Sequence, residues 1–84
     1  MKRKGSNRGI EENSKELQKK IGLKLKKIRK ELGYGNSDAF AYDKGLNRAQ
    51  YGKYESGSQD MRISSLKKVI NAMGLTFEQF FQDF

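Results

Sequence analysis

The 84-residue sequence contains no cysteine, histidine, proline or tryptophan. Without cysteine the chain cannot form a disulfide, which favours a reducing compartment, and we predict a cytoplasmic protein. The absence of cysteine and histidine removes the commonest zinc ligands and the commonest catalytic base. No run of 18 apolar residues occurs and no apolar stretch follows the basic N-terminus, so neither a membrane-spanning helix nor a secretory signal is expected. With no paired acid and base and no phosphate loop, we predict no enzyme activity, no metal and no cofactor.

Positive charge is what the sequence has in excess, with 18 Lys and Arg against 10 Asp and Glu and a formal net charge of +8. Residues 1–42 hold 12 of the basic and 5 of the acidic side chains, whereas residues 43–84 hold 6 and 5. This balance favours a polyanionic partner, either nucleic acid or an anionic membrane surface. A plain solvated surface is the alternative.

The apolar spacing predicts helices only. Residues 1–13 are basic and nearly free of apolar side chains, which predicts a flexible basic arm, and residues 14–84 form the predicted domain. A stripe spaced by three and four residues predicts a first helix that ends at Gly33, and it consists of Leu17, Ile21, Leu25, Ile28 and Leu32.

Four shorter helices are predicted to follow. Asn36 or Ser37 caps the second, whose buried face is Phe40 and Ala41, and Asn47 caps the third, from Arg48 to about Tyr54. The fourth carries Ile63, Leu66, Val69, Ile70 and Met73. Thr76 and Gln79 form a capping box at the start of the fifth. The predicted fold class is therefore all-α, a compact five-helix bundle.

The second and third helices are joined by Lys44, Gly45, Leu46 and Asn47, which fits a DNA-binding helix-turn-helix. From about Ile21 to Phe81 the sequence resembles the Cro-like, xenobiotic-response-element (XRE) family of phage-repressor domains. The resemblance lies in Phe40-Ala41, Gly45-Leu46, Asn47, Tyr54-Glu55-Ser56-Gly57, Ile63, Leu66, Gly74-Leu75 and Phe80. It implies a lambda-repressor-like fold and a sequence-specific DNA-binding transcriptional regulator, with the third helix inserted in the major groove.

A helical wheel of the third helix separates a cationic face from one that carries Tyr51 and Tyr54. The outward positions are the expected base contacts, with Gln50 to one side: Arg48, Ala49, Gln50, Gly52 and Lys53. Gly52 costs about 1 kcal/mol relative to alanine in a helix. We expect the missing side chain to let the helix sit deeper in the groove; crowding by a neighbouring segment is the alternative.

Phosphate contacts are expected from side chains at the starts and ends of these helices: Asn36, Ser37, Asn47, Ser56, Ser58 and Arg62. Basic residues of the arm, Lys2, Arg3, Lys4 and Arg8, are further candidates for a minor groove or for phosphates. The resemblance also implies a structural ion pair between Arg29 and Glu55. The partners expected are double-stranded DNA and a second copy of the chain.

The C-terminal end holds more large apolar surface than one short helix easily buries, so we expect Phe77, Phe80, Phe81 and Phe84 to form a dimer contact or part of the core. Two other classes compete with the regulator. The same fold serves antitoxin or adaptor modules that bind proteins, and a basic first helix with an apolar stripe is compatible with a membrane-active segment.

Overall fold

A computed structural model describes residues 14–84, and the predicted basic arm lies outside the described residues. The described chain is all-α and contains five helices, as predicted. They are α1 (Ser14–Glu31), α2 (Ser37–Asp43), α3 (Arg48–Ser56), α4 (Ile63–Ala72) and α5 (Phe77–Phe81).

The helix ends follow the local signals in the sequence. The side chain of Asn36 accepts a hydrogen bond from the backbone N–H of Ala39, and the side chain of Asn47 accepts one from Gln50, both at 2.8 Å. Thr76 and Gln79 form the predicted capping box of α5. Glycines in the left-handed region of φ follow α1 (Gly33), α2 (Gly45), α3 (Gly57) and α4 (Gly74). These caps satisfy backbone groups that a helix end leaves without a partner within the helix.

The core lies where the apolar faces of the five helices meet. Its fully buried side chains include Leu25 of α1, Phe40 of α2, Ile70 of α4 and Phe80 of α5. The α4 stripe is buried as expected except for its first member, because Ile63 is 73% exposed. Ile63 is the first residue of α4.

A close crossing of α1 and α3 was not foreseen from the sequence. A Cβ atom on Gly22 of α1 would lie 2.4 Å from the backbone oxygen of Glu55 and 2.6 Å from that of Tyr54. Only glycine therefore permits this approach of α1 to the last turn of α3. Gly57, just beyond α3, also packs closely on α1, since a Cβ built on it would lie 2.9 Å from the Cα of Lys19.

The C-terminal phenylalanines are divided between several environments. Phe80 is fully buried and belongs to the core, which removes it from the expected dimer contact. Phe84 packs on Phe81, with a centroid separation of 5.0 Å, and lies beneath the ammonium groups of Lys20 and Lys24. Lys24 also donates hydrogen bonds to the carbonyl oxygens of Phe80 and Gln82. The lysine side of α1 thus fixes the end of α5.

Candidate nucleic-acid interface

The turn between α2 and α3 is closed by backbone hydrogen bonds. Leu46 N–H donates to the Ala41 carbonyl at 2.8 Å, and Gly45 N–H donates to the Tyr42 carbonyl at 3.2 Å. Gly45 adopts φ +70°, which lets the chain reverse at a conformation that L side chains rarely adopt. Leu46 is half-buried and packs against the core. The turn therefore holds α3 at a defined angle to α2.

Two tyrosines anchor α3 to the rest of the molecule. Tyr51 is 1% exposed and Tyr54 is 2% exposed, and the Tyr51 ring packs on Phe40 of α2 with a centroid separation of 5.1 Å. The side chains that follow the other face are exposed, namely Arg48, Ala49, Gln50 and Lys53. Since both tyrosines point inward, the cationic face of α3 is turned to solvent.

Gly52 lies on the outward face without crowding from its own chain. The nearest atom to a Cβ built on it is the Ser37 Oγ, at 3.8 Å, which is an ordinary van der Waals contact. A neighbouring segment thus does not require glycine at this position. The same distance places the first residue of α2 beside the middle of α3, so the expected phosphate-contacting residue Ser37 borders the expected base-reading face.

The six side chains expected at phosphates fall in two groups. Asn36, Ser37 and Asn47 lie at the N-terminal ends of α2 and α3, and the capping bonds of the asparagines use their oxygens rather than their NH₂ groups. In the second group, Ser56 is the last residue of α3, and Ser58 and Arg62 follow it. The Ser56 and Ser58 hydroxyl oxygens are 2.8 Å apart, and Ser56 also donates to the Lys53 carbonyl. Ser37 of the first group lies beside Gly52, and Ser56 of the second is bonded to the Lys53 carbonyl, so each group has a hydroxyl next to the cationic face.

A buried ion pair fixes α3 against α1. Arg29 donates from Nε and Nη2 to the two carboxylate oxygens of Glu55, at 2.9 and 2.8 Å, and its Nη1 donates to the Tyr34 carbonyl at 3.0 Å. Both ionic side chains are less than a tenth exposed. This two-pronged geometry holds the guanidinium and the carboxylate in one relative orientation.

The electrostatics around the pair favour its charged form. Burial acts to raise the pKa of Glu55, but the hydrogen bonds from Arg29 and the positive charge of its guanidinium outweigh it, so the pKa lies below the usual value. The hydrogen bond with Glu55, partly opposed by burial, raises the pKa of Arg29. Burial, with a further contribution from Glu55, raises the pKa of Tyr51. The pair and the tyrosine therefore form one electrostatic unit beneath α3.

Three features of the described domain were not expected from the sequence. Tyr42 of α2 is 77% exposed, and its ring centroid lies 6.0 Å from the Arg48 guanidinium carbon. The glycines that a neighbouring helix crowds are Gly22 and Gly57 rather than Gly52. An apolar groove of about 300 Å³ separates α1 from the starts of α4 and α5, and Ile63 stands at its edge. A glycine inside a long, otherwise strongly helical segment was the available signal for Gly22; the other two depend on contacts between helices.

Residues 14–84 contain no group of three acidic side chains able to hold a metal ion. No helix within that range has the length and apolarity needed to span a bilayer.

Comparison with known proteins places the helix-turn-helix in context. No protein-family model matches the chain. Over 64 residues the chain is 33% identical to control protein C.MunI of a Mycoplasma species, a match that covers 76% of this chain and 86% of that protein. The alignment is thus long enough to include most of the described domain.

Proposed function

The chain belongs to the Cro-like, XRE family of helix-turn-helix DNA-binding transcriptional regulators, and from this premise we propose that it recognises a specific DNA sequence by inserting α3 into the major groove. The observation that carries the proposal is the orientation of α3. Its tyrosines are buried while Arg48, Ala49 and Lys53 face solvent on one side. This is the arrangement in which a recognition helix presents its N-terminal residues to base edges.

The side chains of this face match the chemistry of the major groove. The Arg48 guanidinium can donate two hydrogen bonds to O6 and N7 of guanine, and the Ala49 methyl can pack on the methyl of thymine. Lys53 can reach a guanine or a phosphate. Gln50 is exposed and lines a cleft between α3 and α4. Its proposed contact is an adenine or the DNA backbone. Gly52 brings the α3 backbone close to the bases.

Contacts to the DNA backbone would position these base readers. The free NH₂ groups of Asn36 and Asn47, the hydroxyls of Ser37, Ser56 and Ser58, and the Arg62 guanidinium are the proposed donors to phosphate oxygens. Such contacts set register and orientation but carry no sequence information directly. The basic arm would add further charge and with it a steeper dependence of affinity on salt.

Dimerisation is part of the proposal because one domain of this size covers about one half-site. The proposed contact is the apolar groove formed by Leu17, Ile21, Met61, Ile63, Leu66, Phe77 and Phe81. Its walls include Phe77 and Phe81 from the predicted C-terminal contact, and Ile63 projects beside it. A second copy is the proposed occupant, because a two-fold pair would present two α3 helices to adjacent major grooves about 34 Å apart.

Selection from a random DNA library tests the sequence preference. The protein is incubated with the library at fixed salt, bound molecules are amplified over several rounds, and the enriched sequences are titrated at several salt concentrations. We expect a two-fold related site and an affinity that falls steeply with salt. Enrichment of no common sequence would contradict the proposal, and tight capture of a protein with no DNA binding would favour the adaptor or antitoxin class.

A further inference from the structure

Tyr42 is the most exposed large apolar side chain among the described residues. It lies in the last turn of α2, at the entrance to the turn that leads into α3. A single exposed aromatic side chain is ordinary on a protein surface. What distinguishes this ring is its contact with the Arg48 guanidinium, across 6.0 Å from ring centroid to the guanidinium carbon.

We propose that Tyr42 is a positioning residue that orients Arg48 for base recognition and so contributes to sequence preference. The inference rests on the proposed function, since it assumes that Arg48 reads a base. It adds a residue of α2 to the determinants of specificity, although Tyr42 itself need not touch a base.

The chemistry of the contact suits this role. Within residues 14–84 no carboxylate lies at ion-pair distance from Arg48. An aromatic face attracts the cation but offers no oxygen that would occupy its N–H groups. The guanidinium fork thus remains available for O6 and N7 of guanine, whereas a carboxylate partner would compete with the base for the same donors. The ring also restricts a long side chain that would otherwise sample many rotamers.

The two charged residues that follow Tyr42 in the sequence, Asp43 and Lys44, interact with Tyr34, whereas Arg48 contacts the Tyr42 ring. The Tyr34 hydroxyl donates a hydrogen bond to the Asp43 carboxylate, and the Lys44 ammonium lies 5.9 Å from the centroid of the Tyr34 ring. Tyr34 in turn packs edge-on against the buried Phe40, with a centroid separation of 5.2 Å. Lys44 therefore faces the half-buried Tyr34, and Arg48 faces the exposed Tyr42.

Two variants separate the ring from the hydroxyl. Tyr42→Phe keeps the aromatic face, and Tyr42→Leu keeps an apolar side chain without it. Affinities are measured for the selected site and for sites in which the base read by Arg48 is replaced. A cation–aromatic contact at an exposed position corresponds to about a twofold to fivefold effect. We expect Tyr42→Leu to discriminate about twofold to fivefold less than the wild type between the base read by Arg48 and its replacements. Tyr42→Phe should discriminate as well as the wild type.

A double-mutant cycle with Arg48→Ala isolates the coupling. If Tyr42 acts through Arg48, Tyr42→Leu has no further effect on discrimination in the Arg48→Ala background. The inference is overturned if Tyr42→Leu weakens all sequences equally, or if Tyr42→Phe loses as much as Tyr42→Leu, which would assign the role to the hydroxyl. If Arg48→Ala loses base preference and Tyr42→Leu does not, this inference is wrong and the proposed function stands. If the wild type shows no base preference, the proposed function itself is wrong.

A measurement without DNA tests the positioning directly. Proton chemical shifts of the Arg48 side chain report a nearby aromatic ring, so they should be shifted in the wild type and in Tyr42→Phe and should return towards random-coil values in Tyr42→Leu. Identical Arg48 shifts in all three proteins would show that the ring does not hold the guanidinium and would overturn the inference.

Discussion

At the residue scale, the proposed recognition of DNA depends on a few exposed side chains at the start of α3. Arg48 is the first residue after the Asn47 cap, and its guanidinium is the group on this face best suited to a two-pronged contact with guanine. Lys53, one turn further on, carries a compact charge that suits a phosphate as well as a base. The two cations therefore have different expected effects on specificity.

Removal of the Arg48 side chain should relax base preference. We expect Arg48→Ala to cost about 1–3 kcal/mol on the selected site and to reduce discrimination at one base position. Lys4→Ala removes the same charge from the arm and serves as the control, since it should weaken all sequences similarly. Competition titrations against single-base variants of the site measure both effects. An Arg48→Ala protein with unchanged affinity and preference would refute the contact.

Substitution of Gly52 should separate stability from binding. A methyl group fits in the free protein, because the nearest atom is 3.8 Å away, and alanine is favoured over glycine in a helix by about 1 kcal/mol. Gly52→Ala should therefore raise the free energy of unfolding, measured by urea denaturation. If α3 approaches the bases as proposed, the same variant should bind the selected site more weakly. A more stable protein with unchanged affinity would show that the depth of insertion does not depend on Gly52.

At the element scale, the position of α3 depends on its crossing with α1. Gly22 lets the α1 backbone approach the Tyr54 and Glu55 carbonyls, and the Arg29–Glu55 pair joins the same two helices. One contact is steric and the other electrostatic, and together they set the height and rotation of α3. Changes in α1 should therefore affect α3 even though α1 has no proposed base contact.

Gly22→Ala should destabilise the domain although alanine favours the helix. The added Cβ would meet backbone oxygens at 2.4 and 2.6 Å, which cannot yield by a side-chain rotation. Overpacking typically costs about 1–3 kcal/mol. Gly52→Ala is the matched control, because the substitution is the same and also lies within a helix, yet the expected change has the opposite sign. Equal urea midpoints for Gly22→Ala and the wild type would contradict the close crossing.

The Arg29–Glu55 pair should make stability depend on pH in the acid range. The pKa of Glu55 in the folded protein lies below its ordinary value of 4.5. Its contribution to stability is thus fully present above the unfolded-state pKa and is lost as pH falls through the lower folded-state pKa.

Urea denaturation of the wild type at pH 7 and at successively lower pH measures this loss. Glu55→Gln should show a smaller fall in the free energy of unfolding below about pH 4.5 and should be less stable at pH 7, because Arg29 is left buried without its counter-ion. Glu78→Gln removes an exposed carboxylate and should follow the wild-type pH profile. Parallel profiles for wild type and Glu55→Gln would exclude the pair as the source of the pH dependence.

At the scale of the whole molecule, the two sides of the domain differ in chemistry. The α2–α3 side presents cations and polar hydrogens, whereas the groove between α1, α4 and α5 is largely apolar, with Asp60 and Gln18 at its rim. Ile63 is exposed at the groove although it belongs to a helix whose other apolar positions are buried. Burial of such an apolar surface against a second copy would remove it from water, which is favourable.

A charge at Ile63 should disrupt the proposed dimer without unfolding the monomer. Ile63 is 73% exposed, and Leu23, which is 65% exposed on α1 and is not part of the groove, provides a matched control. Sedimentation equilibrium should show a weaker self-association for Ile63→Glu than for Leu23→Glu, and cooperative binding to a two-fold site should weaken in parallel. Equal association constants for the two variants would place the contact elsewhere.

The sequence by itself determined the helices, their ends and the face of α3 that points outward. Caps such as Asn36, Asn47 and Thr76 act through hydrogen bonds to residues three positions away, and the spacing of Tyr51 and Tyr54 places them on one side of a helix, so both signals are local. Only the tertiary structure decided that Gly22 is crowded and Gly52 is not, that Phe80 is core, that Ile63 is exposed, and that Tyr42 lies against Arg48. Each of these depends on how separate helices pack, and residues distant in the sequence meet only once the domain has folded.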